Sequence, residues 1–293
     1  MEQLYICVAL AIFGLAMGSF AGATVWRLRA RQLAQDKADG EEYDKKEYKT
    51  LIPLTKLTAT NDRSRCLHCG HTLAWYDLVP LVSWLSTGGK CRYCHKSIGW
   101  FEPVIELGVA AFFVASYLLW PYQLQTLLEI VHFGLWLVAG VILAILFAYD
   151  LKWFLLPNKA VFPFIAVGVV AAIVQLMAAT DIVASLVNLG LAIAILSGLY
   201  LAIWLISKGQ WVGFGDVKLG LGLALLLGDY KLAILALFAA NFIGCLIVIP
   251  GMIVGKLTRT TRVPFGPLLI LGFVVAGLFG QTIVDAYLGL LFL

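Results

Sequence analysis

The stretch GFGDVKLGLGLALLLG, residues 213–228, determines how many times this chain can cross a membrane. It opens with an aspartate among glycines and closes with an uncharged run, residues 219–228. That run is shorter than the roughly 20 apolar residues that a membrane-spanning helix needs. If this run crosses the membrane, the segments before and after it lie on opposite sides; if it does not, they lie on the same side.

The rest of the chain is as apolar as this stretch. Its 293 residues are 61% hydrophobic and 13% charged, with a mean hydropathy of +0.92, which excludes an ordinary soluble domain. The first apolar run leads into Arg27 without an obvious small-residue cleavage site, so we interpret residues 1–26 as a retained transmembrane helix. Six further long uncharged runs could each span a bilayer: residues 107–128, 130–149, 160–180, 182–207, 232–255 and 263–284.

The distribution of Lys and Arg favours eight spans. If residues 219–228 cross, all 21 Lys and Arg residues except Lys231 fall on one side, which the positive-inside rule identifies as the cytosol. If they do not cross, the basic loop at residues 256–262 moves outside. We therefore predict an all-α polytopic membrane protein with about eight transmembrane helices and its amino terminus outside.

The large polar segment, residues 27–100, is predicted to be cytosolic and to have two parts. Residues 36–49, DKADGEEYDKKEYK, are dense in mixed charge and are expected to form a solvated or disordered insert. Residues 66–100 mix cysteines, aromatic residues and glycines and are predicted to fold as a small module. Residues 101–293 form the predicted helical membrane domain.

Four of the six cysteines lie in this module as two CxxC pairs, with 21 residues between them. Two such pairs can complete a tetrahedral, structural Zn²⁺ site whose ligands are Cys66, Cys69, Cys91 and Cys94. Two disulfides are the simpler alternative, but the cytosol is reducing. A redox dithiol pair is the other rival. Three nearby histidines are expected to lie outside the metal's ligand set: His68, His71 and His95.

Two aspartates stand at the predicted cytosolic ends of apolar runs. Asp150 ends one run and Asp216 begins another, and the hairpin between them starts and finishes on the same side. Two carboxylates that meet in a low-dielectric site share a proton, so one can act as base and the other as acid. That pair can activate water to attack a peptide carbonyl. Gly213 and Gly215 would let an extended substrate approach.

Noncatalytic roles are also compatible with the positions of the two aspartates. They could be interfacial charges paired with Lys152 and Lys218, which lie two residues further along the chain. They could also serve proton or ion transport, since intramembrane acids often do. The alternative function is therefore a membrane transporter or adaptor that has a structural zinc site and uses carboxylates at the membrane boundary.

These motifs together resemble one family, the bacterial prepilin peptidases. The resemblance runs over nearly the whole chain and rests, in order, on GSF at residues 18–20, SRCLHCG, LVPLVSWLSTGGKCRYC, EPVIELG, DLKWFLLPN from Asp150, GFGDVKLG and VPFGPLL. It implies that Asp150 and Asp216 are the catalytic pair of an aspartic endopeptidase. The implied substrates are type IV prepilins and pseudopilins, whose short basic leader is cut after a glycine at the cytosolic face of the bacterial inner membrane.

The resemblance also implies a second activity, methylation of the new amino terminus with S-adenosylmethionine as donor. No GxGxxG-type loop is present, so the donor site is unassigned. The chain departs from the family pattern in its long charged insert and at Ala21 and Gly22, near which the family commonly has Asn. Besides its substrates the expected partner is the lipid bilayer, and nothing indicates a nucleic acid.

Overall fold

The computed structural model of the chain describes residues 1–55, 63–256, 258, 261 and 263–291. Within that part the protein is almost entirely helical and contains no strand beyond two isolated backbone bridges. This confirms the predicted all-α class. The chain divides into two compact units, Met1–Ala115 and Ser116–Leu293, and the division lies within a helix.

Unit 1 is built around one long helix. Its helices are α1 (Glu2–Asp39), α2 (Lys45–Thr55), α3 (Val82–Ser86) and α4 (Phe101–Leu118). Helix α1 does not stop at the end of the apolar run but continues into the polar segment as far as Gly40. That glycine takes a left-handed conformation, φ 76°, and its N–H donates to the Asp36 carbonyl, which caps the helix.

The charged segment at residues 36–49 is helical at both ends, since α1 ends at Asp39 and α2 begins at Lys45. Leu51 and Leu54 of α2 are buried against Ala30 and Leu33 of α1. Glu47 accepts hydrogen bonds from Arg29 at 2.6 and 2.9 Å. Overall composition hides this packing, because a helix needs only a few apolar residues at three- and four-residue spacing to bury one face. The charged side chains between them remain largely exposed, as expected.

Close helix contact in unit 1 depends on small residues. Gly14 and Gly18, one turn apart on α1, face α4. A β-carbon on Gly14 would lie 2.6 Å from the Ala110 Cα, so only glycine permits this approach. Such a small-xxx-small pattern is a common way for membrane helices to pack closely.

Unit 2 is a helical bundle. Its helices are α5 (Leu127–Trp153), α6 (Asn158–Ala178), α7 (Ile182–Ile193), α8 (Leu199–Ser207), α9 (Phe214–Leu227), α10 (Tyr230–Ile253) and α11 (Phe265–Leu291). A π-helical turn, Ala194–Gly198, joins α7 to α8 into one apolar stretch. The Ser197 hydroxyl at this turn donates to the Val217 carbonyl of α9.

Helix α9 contains the short apolar run at residues 219–228, apart from its last residue. In the described part of the chain, seven helices are long and apolar enough to span a membrane, and α9, with 14 residues, is not among them. Its interior is nevertheless buried, with Leu219 and Leu223 fully enclosed. Gly220 lies against the Leu196 carbonyl and Gly222 against the Phe164 ring. Because protein surrounds α9, this helix does not need the length of one that faces lipid.

Candidate active site

The four predicted zinc ligands lie together. The sulfur atoms of Cys66, Cys69, Cys91 and Cys94 are all within 4.8 Å of one another, and none is in a disulfide. The Cys66 and Cys94 sulfurs are 3.9 Å apart. Tetrahedral zinc with bonds of about 2.3 Å would separate two sulfurs by about 3.8 Å, so the cluster fits this ion.

Each cysteine pair lies on a tight backbone turn. The N–H of Gly70 donates to the Cys66 carbonyl, and the N–H of His95 donates to the Cys91 carbonyl, both at 2.9 Å. The residue after the second cysteine of each pair has a positive φ, 72° at Gly70 and 56° at His95. The two turns therefore present their thiols with the same geometry. The group of potential ligand atoms comprises the four cysteine sulfurs.

The thiols of this cluster have unequal acidities. Burial raises the pKa of Cys66 to about 12. Burial also acts to raise the pKa of Cys91, but hydrogen bonds from the backbone at Cys94 and Tyr93, together with those from the Cys66 and Cys94 thiols, lower that pKa to about 7. Four neighbouring thiolates would repel one another, whereas a divalent cation would favour deprotonation of all four.

Asp77 joins the turn between Cys91 and Cys94 to the rest of the module through hydrogen bonds. Its carboxylate accepts hydrogen bonds from Arg92 Nε at 3.0 Å, Tyr93 Oη at 2.9 Å and the Ala74 N–H at 3.2 Å. Burial alone would raise the pKa of Asp77, but these three donors lower it. Sequence reasoning missed this residue, because an aspartate fourteen positions before a cysteine forms no recognisable motif.

Asp150 and Asp216 lie within electrostatic reach of each other in unit 2. Asp150 is in the last turn of α5 and is only 6% exposed, whereas Asp216, in the first turn of α9, is half-buried. The Asp216 carboxylate also interacts with Tyr200 of α8. Residues 66 positions apart thus meet because α5 ends, and α9 begins, at the same end of the bundle.

Glycines surround the two carboxylates. The Gly266 amide at the start of α11 donates to the Asp150 carboxylate, and a β-carbon on Gly266 would lie 2.6 Å from Asp150 Oδ2. Leu156, from the α5–α6 loop, contacts the positions where β-carbons of Gly215 and Gly266 would lie, at 3.0 and 3.6 Å. The role of Gly266 was missed, although PFGP was among the motifs that carried the resemblance.

Pairing with a lysine does not account for Asp216. The Lys218 ammonium instead donates to Asn158 Oδ1 at 2.6 Å and lies 5.1 Å from the centre of the Phe214 ring. Lys152 lies over the Trp153 ring at 5.2 Å. The site therefore consists of two carboxylates, a tyrosine and closely packed glycines, and its two carboxylates are suited to acid–base hydrolysis.

Two family models match the chain. Residues 12–120 match the bacterial peptidase A24 N-terminal domain, and residues 137–249 match the type IV leader peptidase family. The first match covers the cysteine module and the second covers both aspartates.

Curated relatives match over nearly the full length. The chain is 30% identical over 272 residues to the type 4 prepilin-like proteins leader peptide-processing enzyme of Escherichia coli O78:H11, covering 90% of this chain and 91% of that one. It is 28% identical over 292 residues to the prepilin leader peptidase/N-methyltransferase of Pseudomonas aeruginosa, covering 94% and 91%. The corresponding protein of Bacillus subtilis is 29% identical over 239 residues, covering 81% and 89%. No solved structure matches the chain.

Proposed function

The chain belongs to the type IV leader peptidase family, and we propose that it removes the short basic leader from type IV prepilins and pseudopilins. The observation that carries the proposal is the convergence of Asp150 and Asp216 beside Gly266 in a helical membrane protein. The relatives' names favour peptidase chemistry over a transporter or an adaptor.

Hydrolysis would proceed by sharing one proton between Asp150 and Asp216. The ionised carboxylate takes a proton from water, and the water oxygen attacks the scissile carbonyl carbon. The protonated carboxyl stabilises the developing oxyanion and then gives its proton to the leaving amine. The pair titrates as a unit, so neither aspartate is assigned permanently as acid or base.

The glycines at the site suit an extended peptide. A scissile bond inside a helix has its carbonyl blocked by the surrounding turns, so the substrate must unwind before attack. Gly213 carries no side chain that would hold an extended substrate away from the Asp216 carboxylate, whose Oδ2 lies 3.6 Å from the position of its absent β-carbon. Gly215 and Gly266 instead allow close packing, because Leu156 and Asp150 occupy the space that their side chains would take.

We infer that the aspartates face the cytosol in a bacterial inner-membrane protein whose amino terminus is outside. The positive-inside rule supports this orientation if α9 crosses the membrane. A basic prepilin leader remains in the cytosol, so cleavage at that face needs both carboxylates there.

We further infer that the enzyme methylates the new amino terminus, since relatives carry N-methyltransferase in their names. Bound S-adenosylmethionine would supply the methyl group: a bond forms from the amine nitrogen to the methyl carbon, the sulfur keeps the electron pair of the broken bond, and the amine releases a proton. The zinc ion would be structural, because four cysteine ligands leave no open coordination position for water. It would hold together a module too small for a core of its own.

The direct test is incubation of the purified chain with a prepilin. Mass spectrometry should show a loss equal to the leader. Asp150→Asn and Asp216→Asn should each abolish the loss, whereas Asp285→Asn, at an exposed position of α11, is the matched control and should retain it. An unchanged prepilin mass with the folded wild-type protein would refute the peptidase assignment.

A further inference from the structure

Unit 1 contains a cleft that the aspartate chemistry does not use. It has a volume of about 220 Å³ and is lined by residues of α1, α4 and the cysteine module. Ligand pockets for drug-sized molecules begin near 300 Å³, so this cleft suits a compact ligand or one part of a longer one. Its lining combines charges of both signs with tryptophan rings, and the members used below are half-buried or buried: Trp26, Arg65, Trp84, Glu102 and Glu106.

The negative charge of the cleft includes a buried carboxylate. Glu106 is 6% exposed, and its Oε2 accepts a hydrogen bond of 2.7 Å from the Leu81 N–H. The Ser19 hydroxyl is its other close partner. Neither group carries a charge, and burying a carboxylate without a counter-ion is costly. A positively charged group on a ligand would offset that cost.

The positive charge includes a guanidinium with spare hydrogen-bonding capacity. Arg65 immediately precedes the first zinc-site cysteine, and its Nε is enclosed yet donates to no acceptor in the part of the chain that the structure describes. A buried donor without an acceptor is costly. The planar guanidinium matches a carboxylate well, since it can donate two parallel hydrogen bonds.

Two tryptophan side chains also line the cleft. The Trp26 Nε1 donates to Glu102 Oε1 at 3.1 Å, and the Trp84 Nε1 donates to the Gly99 carbonyl at 2.9 Å. These bonds fix the ring orientations. A tryptophan ring attracts cations over its face and stacks with flat heterocycles.

We propose that this cleft binds the amino-acid end of the methyl donor S-adenosylmethionine, with Arg65 at its carboxylate and Glu106 beside its positively charged groups. The inference rests on the proposed methyltransferase function and supplies its donor site. The amino-acid group of this ligand carries both an ammonium and a carboxylate, so it is complementary to a cleft whose lining has charges of both signs. A peptide amino terminus would leave Arg65 without its carboxylate.

The test measures binding of S-adenosylmethionine and of S-adenosylhomocysteine to the purified full chain by calorimetry. Glu106→Gln and Arg65→Met should each weaken binding by about 10- to 100-fold, the loss expected for one charge-assisted hydrogen bond. Glu41→Gln and Arg31→Met change the same residue types at exposed positions outside the cleft and should bind as the wild type does. Zinc content identifies any variant whose module has unfolded.

A second measurement needs no substitution. Ultraviolet cross-linking of radiolabelled S-adenosylmethionine to the wild-type chain should label peptides that contain Trp26 or Trp84. A label within residues 116–293 would overturn the proposal. So would displacement of S-adenosylhomocysteine by a short peptide bearing the new pilin amino terminus, because the cleft would then hold the methyl acceptor.

The outcomes separate this inference from the proposed function. If the wild type methylates its product but Glu106→Gln and Arg65→Met bind the donor undiminished, the cleft is refuted and the methyltransferase function stands. If the wild type cleaves prepilin yet neither binds the donor nor methylates, the methyltransferase function is refuted together with the cleft. The peptidase assignment survives both results.

Discussion

Gly266→Ala should inactivate the peptidase without removing either carboxylate. The added β-carbon would lie 2.6 Å from Asp150 Oδ2, so the oxygen must move by about 0.8 Å to reach an ordinary contact of 3.4 Å. The shift would also disturb the hydrogen bond that the Gly266 amide donates to this carboxylate. A misplacement of about 1 Å in a catalytic group can cost about 10²-fold in rate, or about 2.7 kcal/mol of transition-state stabilisation.

The assay for Gly266→Ala is the rate of prepilin cleavage under single-turnover conditions. Gly289→Ala, in the same helix, is the matched control, because nothing lies within 4 Å of its added β-carbon. Thermal unfolding of both variants checks that the bundle is intact. Wild-type cleavage by Gly266→Ala, in a protein as stable as the control, would refute the role given to this glycine.

Three further predictions concern the metal, the topology and the packing of α9. Replacing Cys66 and Cys69 by Ser should remove about one equivalent of zinc and make the module protease-sensitive, which metal analysis and limited proteolysis would measure. Wild-type protein that holds no zinc and whose four thiols are freely alkylated would contradict this prediction. On a cysteine-free background, a new thiol near Lys208 should be labelled from the cytosol and one near Asp181 from outside; the reverse would invert the orientation. Gly220→Ala should lower the stability of the bundle by about 1–3 kcal/mol, because its β-carbon meets the Leu196 carbonyl, whereas Gly190→Ala should not; equal melting temperatures would exclude this contact.

The sequence predicted the helices well, because apolar runs bounded by charges determine membrane helices almost by length alone. It also predicted that Asp150 and Asp216 would approach each other, since both stand at the predicted cytosolic ends of apolar runs that are joined by one hairpin. The clustering of the four cysteines followed from their spacing. In each case the relevant signal is local or follows from the order of the segments.

The sequence did not predict features that depend on tertiary contact. The helical state of the segment around Leu51 and Leu54 comes from packing on α1, which average composition conceals. The contact of Gly266 with Asp150 joins residues 116 positions apart, and no periodicity encodes it.

The basic loop at residues 256–262, whose charges influenced the predicted topology, includes Arg262, which lies outside the described residues.

The most direct test of the shared-proton pair compares Asp150→Asn, Asp216→Asn and the double variant in single-turnover prepilin cleavage, with Asp285→Asn as control. If the two carboxylates act as one unit, each single change should lower the rate by about 10²- to 10⁴-fold, the range for a lost general acid or base, and the double variant should be no slower than the slower single one. Near-full turnover by either single variant, or losses that multiply in the double variant, would contradict the shared-proton pair.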